Sequence, residues 1–309
     1  MYKRIENNKT RQLLYSTGIM LFTFIFLRAD VSMAIDGNPR DYIAAPPGTN
    51  LSIVYFQHLD SSNFYSKGKE VPGKDKLEVN VPIYRFVHYG KLFGMTVDPQ
   101  FVIPVFGTVR TKIGALGLDQ TTTSMGDLTI GCTFWFINKP EKNFWAGFTP
   151  WVTFPTGNFD HDKFVSSSAL ASNRYTFTTQ FGVEKGLGYG FHFSGIVEGA
   201  FYTDNKDWMS STGGTASQSK DPTFLSQISL SYDFTPATFA SVKWRYLALG
   251  ETKVGNEKQN DAANDHRVDL GLFHWLTKTD QLMIEYQKVV QVRNGYDSDG
   301  VMARWVHVF

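Results

Sequence analysis

The chain has 309 residues, 42% of them apolar, 15% aromatic and 19% charged, and 30 basic against 29 acidic side chains leave a formal charge of +1. Such a balance excludes a partner held by bulk phosphate neutralisation, so no nucleic acid is expected. The single cysteine, Cys132, excludes an internal disulfide framework and a cysteine-built zinc site. With 26 Phe, 14 Tyr and 7 Trp, the chain carries more rings than a small soluble core needs.

The N-terminus reads as an address. Lys3, Arg4, Lys9 and Arg11 precede a mostly apolar run from Leu13 to Leu27, and Ser32-Met33-Ala34 supplies a small-x-small cleavage site. That order predicts a secretory signal peptide over 1–34, cut after Ala34. The apolar run is too short for a spanning anchor, which needs roughly 20 residues. Residues 35–48, with Pro39, Pro46 and Pro47, are expected to form a periplasmic lead that partly plugs whatever follows.

Past residue 50 the dominant signal is alternation with a period of two, the pattern of a half-buried strand. It predicts strands over 50–59, 76–89, 92–106, 126–137, 143–155, 173–185, 189–203, 222–233, 238–250, 265–276, 281–291 and 300–309. The connections alternate: long and polar, as at 107–125, 156–172 and 204–221, then short and rich in turn formers, as at 138–142 and 234–237. The expected fold is an all-β transmembrane antiparallel barrel over 49–309, with about twelve strands, short periplasmic turns and long external loops. Hydrocarbon explains the closure, because each unpaired backbone group there costs several kcal/mol. Tyr89, Trp135, Phe154, Tyr189 and Tyr232 near strand ends suit interfacial girdles. The last strand ends with Trp305 and Phe309 on one face, which is similar to the signal read by the barrel assembly machinery, although His307 interrupts its apolar pattern. The bacterial outer membrane, with its lipid and that machinery as partners, is the expected location.

Short ordered motifs add a resemblance. Ala45-Pro46-Pro47-Gly48-Thr49 precedes the first strand, Met125-Gly126-Asp127-Leu128 opens the fourth, and Phe154-Pro155-Thr156-Gly157-Asn158 closes the fifth. With Pro104, these resemble the phenol meta-pathway degradation family of outer-membrane transporters. The resemblance implies a barrel admitting aromatic or other hydrophobic solutes, and it brings no catalytic residues. The glycines and prolines themselves read first as bends and strand ends.

If the Phe and Leu faces look outward, the inward set includes Glu78, Asp98, Asp127, Arg174, Glu184, Glu198, Lys243, Arg245, Arg267, Asp269, Glu285 and Arg304. Acids dominate strands two to seven and bases strands nine to twelve. Two readings stand: opposed walls that set a field across a pore, or charges that pair and fill the bore. Inward-facing Trp145, Trp151, Phe239, Phe273 and Trp275 are the candidates for contact with an aromatic small-molecule solute.

Two other classes compete with a channel. A barrel that does not transport, acting as adhesin or scaffold, would work through loops such as 204–221. A lipid hydrolase would use His192 and Ser194, a His-x-Ser pair on one strand face; that pair resembles outer-membrane phospholipases, but Gly195-Ile196 replaces their Asn-Gly. Asp160-His161-Asp162 reads as a solvated loop, and no cofactor or metal is expected.

Overall fold

The computed structural model describes residues 36–210 and 214–309. The expected signal peptide and its cut at Ala34 lie outside the described residues.

Twelve strands form the wall. In chain order they are β1 (Asn50–Ser61), β2 (Lys76–His88), β3 (Met95–Pro104), β4 (Leu128–Lys139), β5 (Phe144–Phe154) and β6 (Thr176–Gly188). They continue as β7 (Phe191–Tyr202), β8 (Thr223–Thr235), β9 (Thr238–Leu249), β10 (Ala263–Trp275), β11 (Asp280–Val292) and β12 (Asp299–Val308). Every neighbour pairs antiparallel. The ring closes where β12 meets β1, with Leu51 opposite Val308 and Asp60 opposite Asp299. The ladder therefore has no free edge across the hydrocarbon, which is the condition for a sheet to span it. No helix among the described residues is long and apolar enough to cross a membrane.

The period of two sorts the side chains. Phe177, Phe181, Val197, Phe201, Ile228, Leu230, Leu270 and Ile284 are exposed on the outer face, while Thr178, Gln180, Glu184, Glu198, Gln227, Arg267, Asp269 and Glu285 are buried inside. The apolar exterior is the inverse of a soluble protein and matches a lipid-facing belt.

The wall departs from simple alternation at its outer end. The strand Gly107–Ile113 continues β3 beyond Pro104 and pairs with β2, and Leu118–Ser124 pairs back onto it before β4. The expected loop 107–125 is thus a hairpin that raises the wall and does not enter the bore. The loop 204–221 is likewise ordered in part: Asn205–Met209 and Thr215–Lys220 join Thr252–Val254 and Glu257–Lys258 in a small sheet.

On this raised sector the polarity reverses. Leu77, Val79, Val81, Val109 and Ile113 point inward and pack with Val165, Ala169, Leu170, Phe64 and Tyr296. Glu78, expected in the lumen, stands on the opposite face, across from Asp60 and Arg110. Outside the hydrocarbon the physics is that of an ordinary sheet, with a dry interior and charged residues facing water, so the rule "polar means lumen" fails there.

Candidate functional site

The lumen is occupied by the chain's own N-terminal segment. Residues 36–48 run down inside the barrel to its periplasmic rim, where Gly48 N donates to Tyr89 O at 2.7 Å and β1 turns back up in the wall. Each successive residue has a seat. Asp36 Oδ2 lies 2.7 Å from Arg267 Nη2 and 3.3 Å from Arg245 Nη1. Gly37 N donates to Gln227 Oε1 and Gly37 O accepts from Lys243 Nζ. Arg40 pairs with Asp233 at 2.7 Å, lies 3.8 Å over the Phe239 ring, and donates its backbone N–H to Glu184 Oε1. Asp41 reaches Arg304 at 3.0 Å and Arg85 at 3.5 Å.

Tyr42 completes the seat. Its hydroxyl bonds Thr149 and donates to Gln180, both at 2.9 Å, and its carbonyl accepts from Trp135 Nε1. The ring fills a notch at Gly182, where a Cβ would come within 2.2 Å of the ring carbons. Trp135 and Tyr89, expected in an interfacial girdle, are instead buried inside and packed on each other at 5.6 Å. They sit on the inward parity of their strands, and the Trp135 indole N–H and the Tyr89 backbone carbonyl serve the plug.

The remaining charges pair along the wall. Lys243 bridges Asp269 at 3.1 Å and Glu285 at 3.2 Å, Arg267 bonds Asp269, and Arg245 bonds Asp265. On the acidic side, neutral donors do this work: Gln180 bonds Glu198, Ser194 bonds Glu184, and Thr133 N with Gln100 bonds Asp98. Acid and base walls exist, but paired and threaded by the plug they do not line an open bore. Phe239 and Phe273 stack face to face at 4.2 Å, with Arg40 and Arg304 on their outer faces. Trp145 and Trp151 are buried with indole N–H groups that lack a partner, and Trp275 is half-buried near the last periplasmic turn.

Two further expectations change place. Asp127 clamps an external loop and does not line the bore: it accepts from Gly157 N at 2.9 Å, Ser172 N at 2.7 Å and Ser172 Oγ at 2.8 Å. Arg174, whose Nη2 donates to Gln218, ties the same loop to the outer sheet. Ser194 and His192 do not form a nucleophile and base. The serine hydroxyl donates to Glu184, while His192 Nε2 faces Asp233 and its Nδ1 has no partner. Asp160 caps a short turn through Asp162 N and Lys163 N, and no group of metal-ligating side chains occurs among the described residues.

Pro104, Met125-Gly126-Asp127 and Pro155-Thr156-Gly157 meet at one place, the outer end of the β4–β5 seam. Gly126 N donates to Pro104 O, Asn158 N to Met125 O and Asp127 N to Leu170 O. Beyond the Leu128–Phe154 pair, β5 stops. The edge of Leu118–Ser124 is covered by residues 160–167, held by side chains: Gln120 Oε1 accepts from Val165 N, and Thr122 bonds Ser166 at 2.6 Å. Gly107 lies under Leu170 and Val81, so the buried apolar cluster reaches this seam.

Taken together, the barrel, its belt and its internal plug define an outer-membrane β-barrel of the channel class. The chain belongs to the family described as "Putative MetA-pathway of phenol degradation", whose family model matches residues 61–305. Among solved structures it is similar to the COG4313 outer membrane channel from Pseudomonas putida F1, at 29% identity and a TM-score of 0.81, over 89% of this chain and 100% of that one. The transport unit of the autotransporter AIDA-I from Escherichia coli shares the fold alone, at 10% identity and a TM-score of 0.53, over 95% of this chain and 96% of that one. No curated protein sequence matches the chain.

Proposed function

We propose that this outer-membrane channel admits small hydrophobic, chiefly aromatic, solutes, and that they leave sideways through the wall. One observation carries the reading: a buried apolar cluster lies on the outer side of a polar, ion-paired plug and reaches the β4–β5 seam, where side chains replace the backbone ladder. Apolar solutes that insert among these side chains gain about 25 cal/mol per Å² of surface removed from water. Passage straight down would set them against buried charges that pair only with each other. The foot of the seam, below the Leu128–Phe154 pair, adjoins Ile130 and Phe177 of the exposed apolar belt and offers lipid instead. The family description, with its phenol pathway, supports aromatic solutes.

Locking the seam tests this. Thr122→Cys with Ser166→Cys, in a Cys132→Ser background, joins residues whose hydroxyls already touch. Cells carrying the oxidised pair should lose uptake of radiolabelled toluene and regain it with a reductant. Unchanged uptake by the fully cross-linked barrel contradicts the sideways route.

A further inference from the structure

Asp41 is held by two guanidiniums that it does not fully satisfy. Arg304 Nη1 is 3.0 Å from Asp41 Oδ1, whereas Arg85 Nη1 is 3.5 Å from Oδ2, longer than the ~2.7–2.9 Å of a well-made charge-assisted bond. Asp41 Oδ2 also accepts from Asn38 N within the plug, which fixes the carboxylate to the plug backbone. Arg304 Nη2 donates to Gln281, but its Nε is buried without a partner. Arg85 Nε donates to Gln100 and Nη1 reaches Tyr55 Oη.

This pair differs from the other cationic positions in the lumen. Lys243, Arg245 and Arg267 keep wall carboxylates (Asp269, Glu285, Asp265) whether or not the plug is seated. Among the described residues, Asp41 is the one carboxylate within ion-pair distance of Arg85 or Arg304. When the plug withdraws, both guanidiniums lose the one carboxylate they share, and another anion can take its place. The surroundings suit a ring on that anion. Arg304 lies 5.4 Å over the Phe273 ring, and the cavity of about 20 Å³ that Arg85 and Trp151 line beside Asp41 is closed by Gly37 and Tyr42, which leave with the plug and open it to a ring; Asp98 there is already engaged by Thr133 and Gln100.

We infer that Arg85 and Arg304 form a carboxylate-recognition site, occupied by Asp41 in the closed barrel, and that the solutes admitted include small carboxylic acids with an aromatic or short apolar body. The inference rests on the channel reading above. In its terms Asp41 is an internal stand-in for the solute carboxylate, and the competing acid both loosens the plug and takes its counter-ion. A planar fork of N–H donors is the group that matches a carboxylate in this role.

The test uses the full chain reconstituted in liposomes, with rates taken above those of protein-free liposomes. The solutes are 4-hydroxybenzoate, 4-hydroxybenzyl alcohol and 4-hydroxybenzylamine, alike in size and unlike in charge. Asp41→Asn should pass the acid about tenfold faster than the amine, the ratio that one charge-assisted hydrogen bond supports. Adding Arg85→Gln and Arg304→Gln should remove that preference while the alcohol still crosses. As a readout independent of flux, 4-hydroxybenzoate should raise the unfolding temperature of Asp41→Asn, and the alcohol should not. Equal rates for acid and amine with no stabilisation by the acid, while the alcohol crosses, overturn the carboxylate site and leave the channel intact. If none of the three crosses any variant, the channel reading falls and takes this inference with it.

Discussion

Arg245 and Arg267 stand directly opposite each other on β9 and β10, and the carboxylate of Asp36 lies between them. Like charges at facing positions of a sheet repel. Here the plug adds one anion shared by both guanidiniums to the wall carboxylates, Asp265 and Asp269, that each already bonds. The N-terminal segment is therefore part of the barrel's electrostatic balance as well as an obstruction in its bore. Replacing Asp36 by Asn should leave buried guanidinium charge partly uncompensated and lower stability on the order of 3 kcal/mol. The check is a denaturant titration of the purified barrel, together with single-channel recording, where mean conductance should rise as the segment loosens. A variant as stable and as closed as the parent contradicts the counter-ion role.

Tyr42 offers a way to displace the plug without touching a charge. Gly182 leaves the space its ring fills, and a side chain there collides with the ring carbons. Gly182→Val suits a strand on backbone grounds, since β-branched residues favour extended conformation. It should leave the barrel folded, as judged by heat-modifiable gel mobility, and increase conductance. Tyr42→Phe removes only the hydrogen bonds to Thr149 and Gln180 and should have a smaller effect, costing about 1 kcal/mol.

Much of this architecture was legible as a pattern, and the exceptions have a common cause. The strands lie close to where alternation put them: β7 was expected over 189–203 and spans Phe191–Tyr202. The pairing of Lys243 with Asp269 and Glu285 along the wall follows from inward parity on three adjacent strands. Parity alone does not say where the hydrocarbon ends. Glu78 was placed inside because polar residues line a lumen, yet β2 has already left the membrane at that height and its interior is dry. Arg85 was missed for the mirror-image reason: it shares its face with Ile83 and Val87, an apolar row that looked outward. The plug's partners were hidden because Asp36, Arg40 and Asp41 lie in an irregular segment with no periodicity to orient them. Contacts between residues far apart in the chain, such as Arg40 to Glu184 and Asp41 to Arg85, reveal their roles.

Asp127 joins two of the short motifs that carry the family resemblance to the far end of the loop between β5 and β6. Its carboxylate holds Gly157 and Ser172, and so fixes both ends of the loop that covers the seam. Asp127→Asn keeps the shape but replaces one acceptor oxygen by a donor, leaving N–H groups at that end unmatched. Amide hydrogen exchange over 156–172 should speed up markedly while exchange in β6 to β9 stays unchanged. Equal protection of the loop in both proteins would assign its stability to the apolar contacts of Phe164 and Leu170 instead.

The chain's end carries one more relationship that bears on assembly. His307, the residue that interrupts the apolar pattern of β12, packs between Trp305 at 6.0 Å and Phe309 at 5.9 Å, and its Nδ1 meets Asp280 at 2.9 Å. The imidazole thus continues an aromatic row along the periplasmic rim and anchors it to the neighbouring strand. If this row is what the assembly machinery reads, His307→Phe should assemble at near the parental level, because the ring is kept and only one exposed polar contact is lost. Deleting Phe309 should cut the amount of heat-modifiable barrel in outer-membrane fractions several-fold, since it removes the terminal ring and the carbonyl that accepts from Asn50 N. The discriminating variant is Trp305→Ala. It lies inside the row, leaves the terminal residue intact and removes the Trp305 Nε1 donor to Asp280. A loss comparable to the deletion assigns recognition to the row as a whole, while parental levels assign it to Phe309 alone.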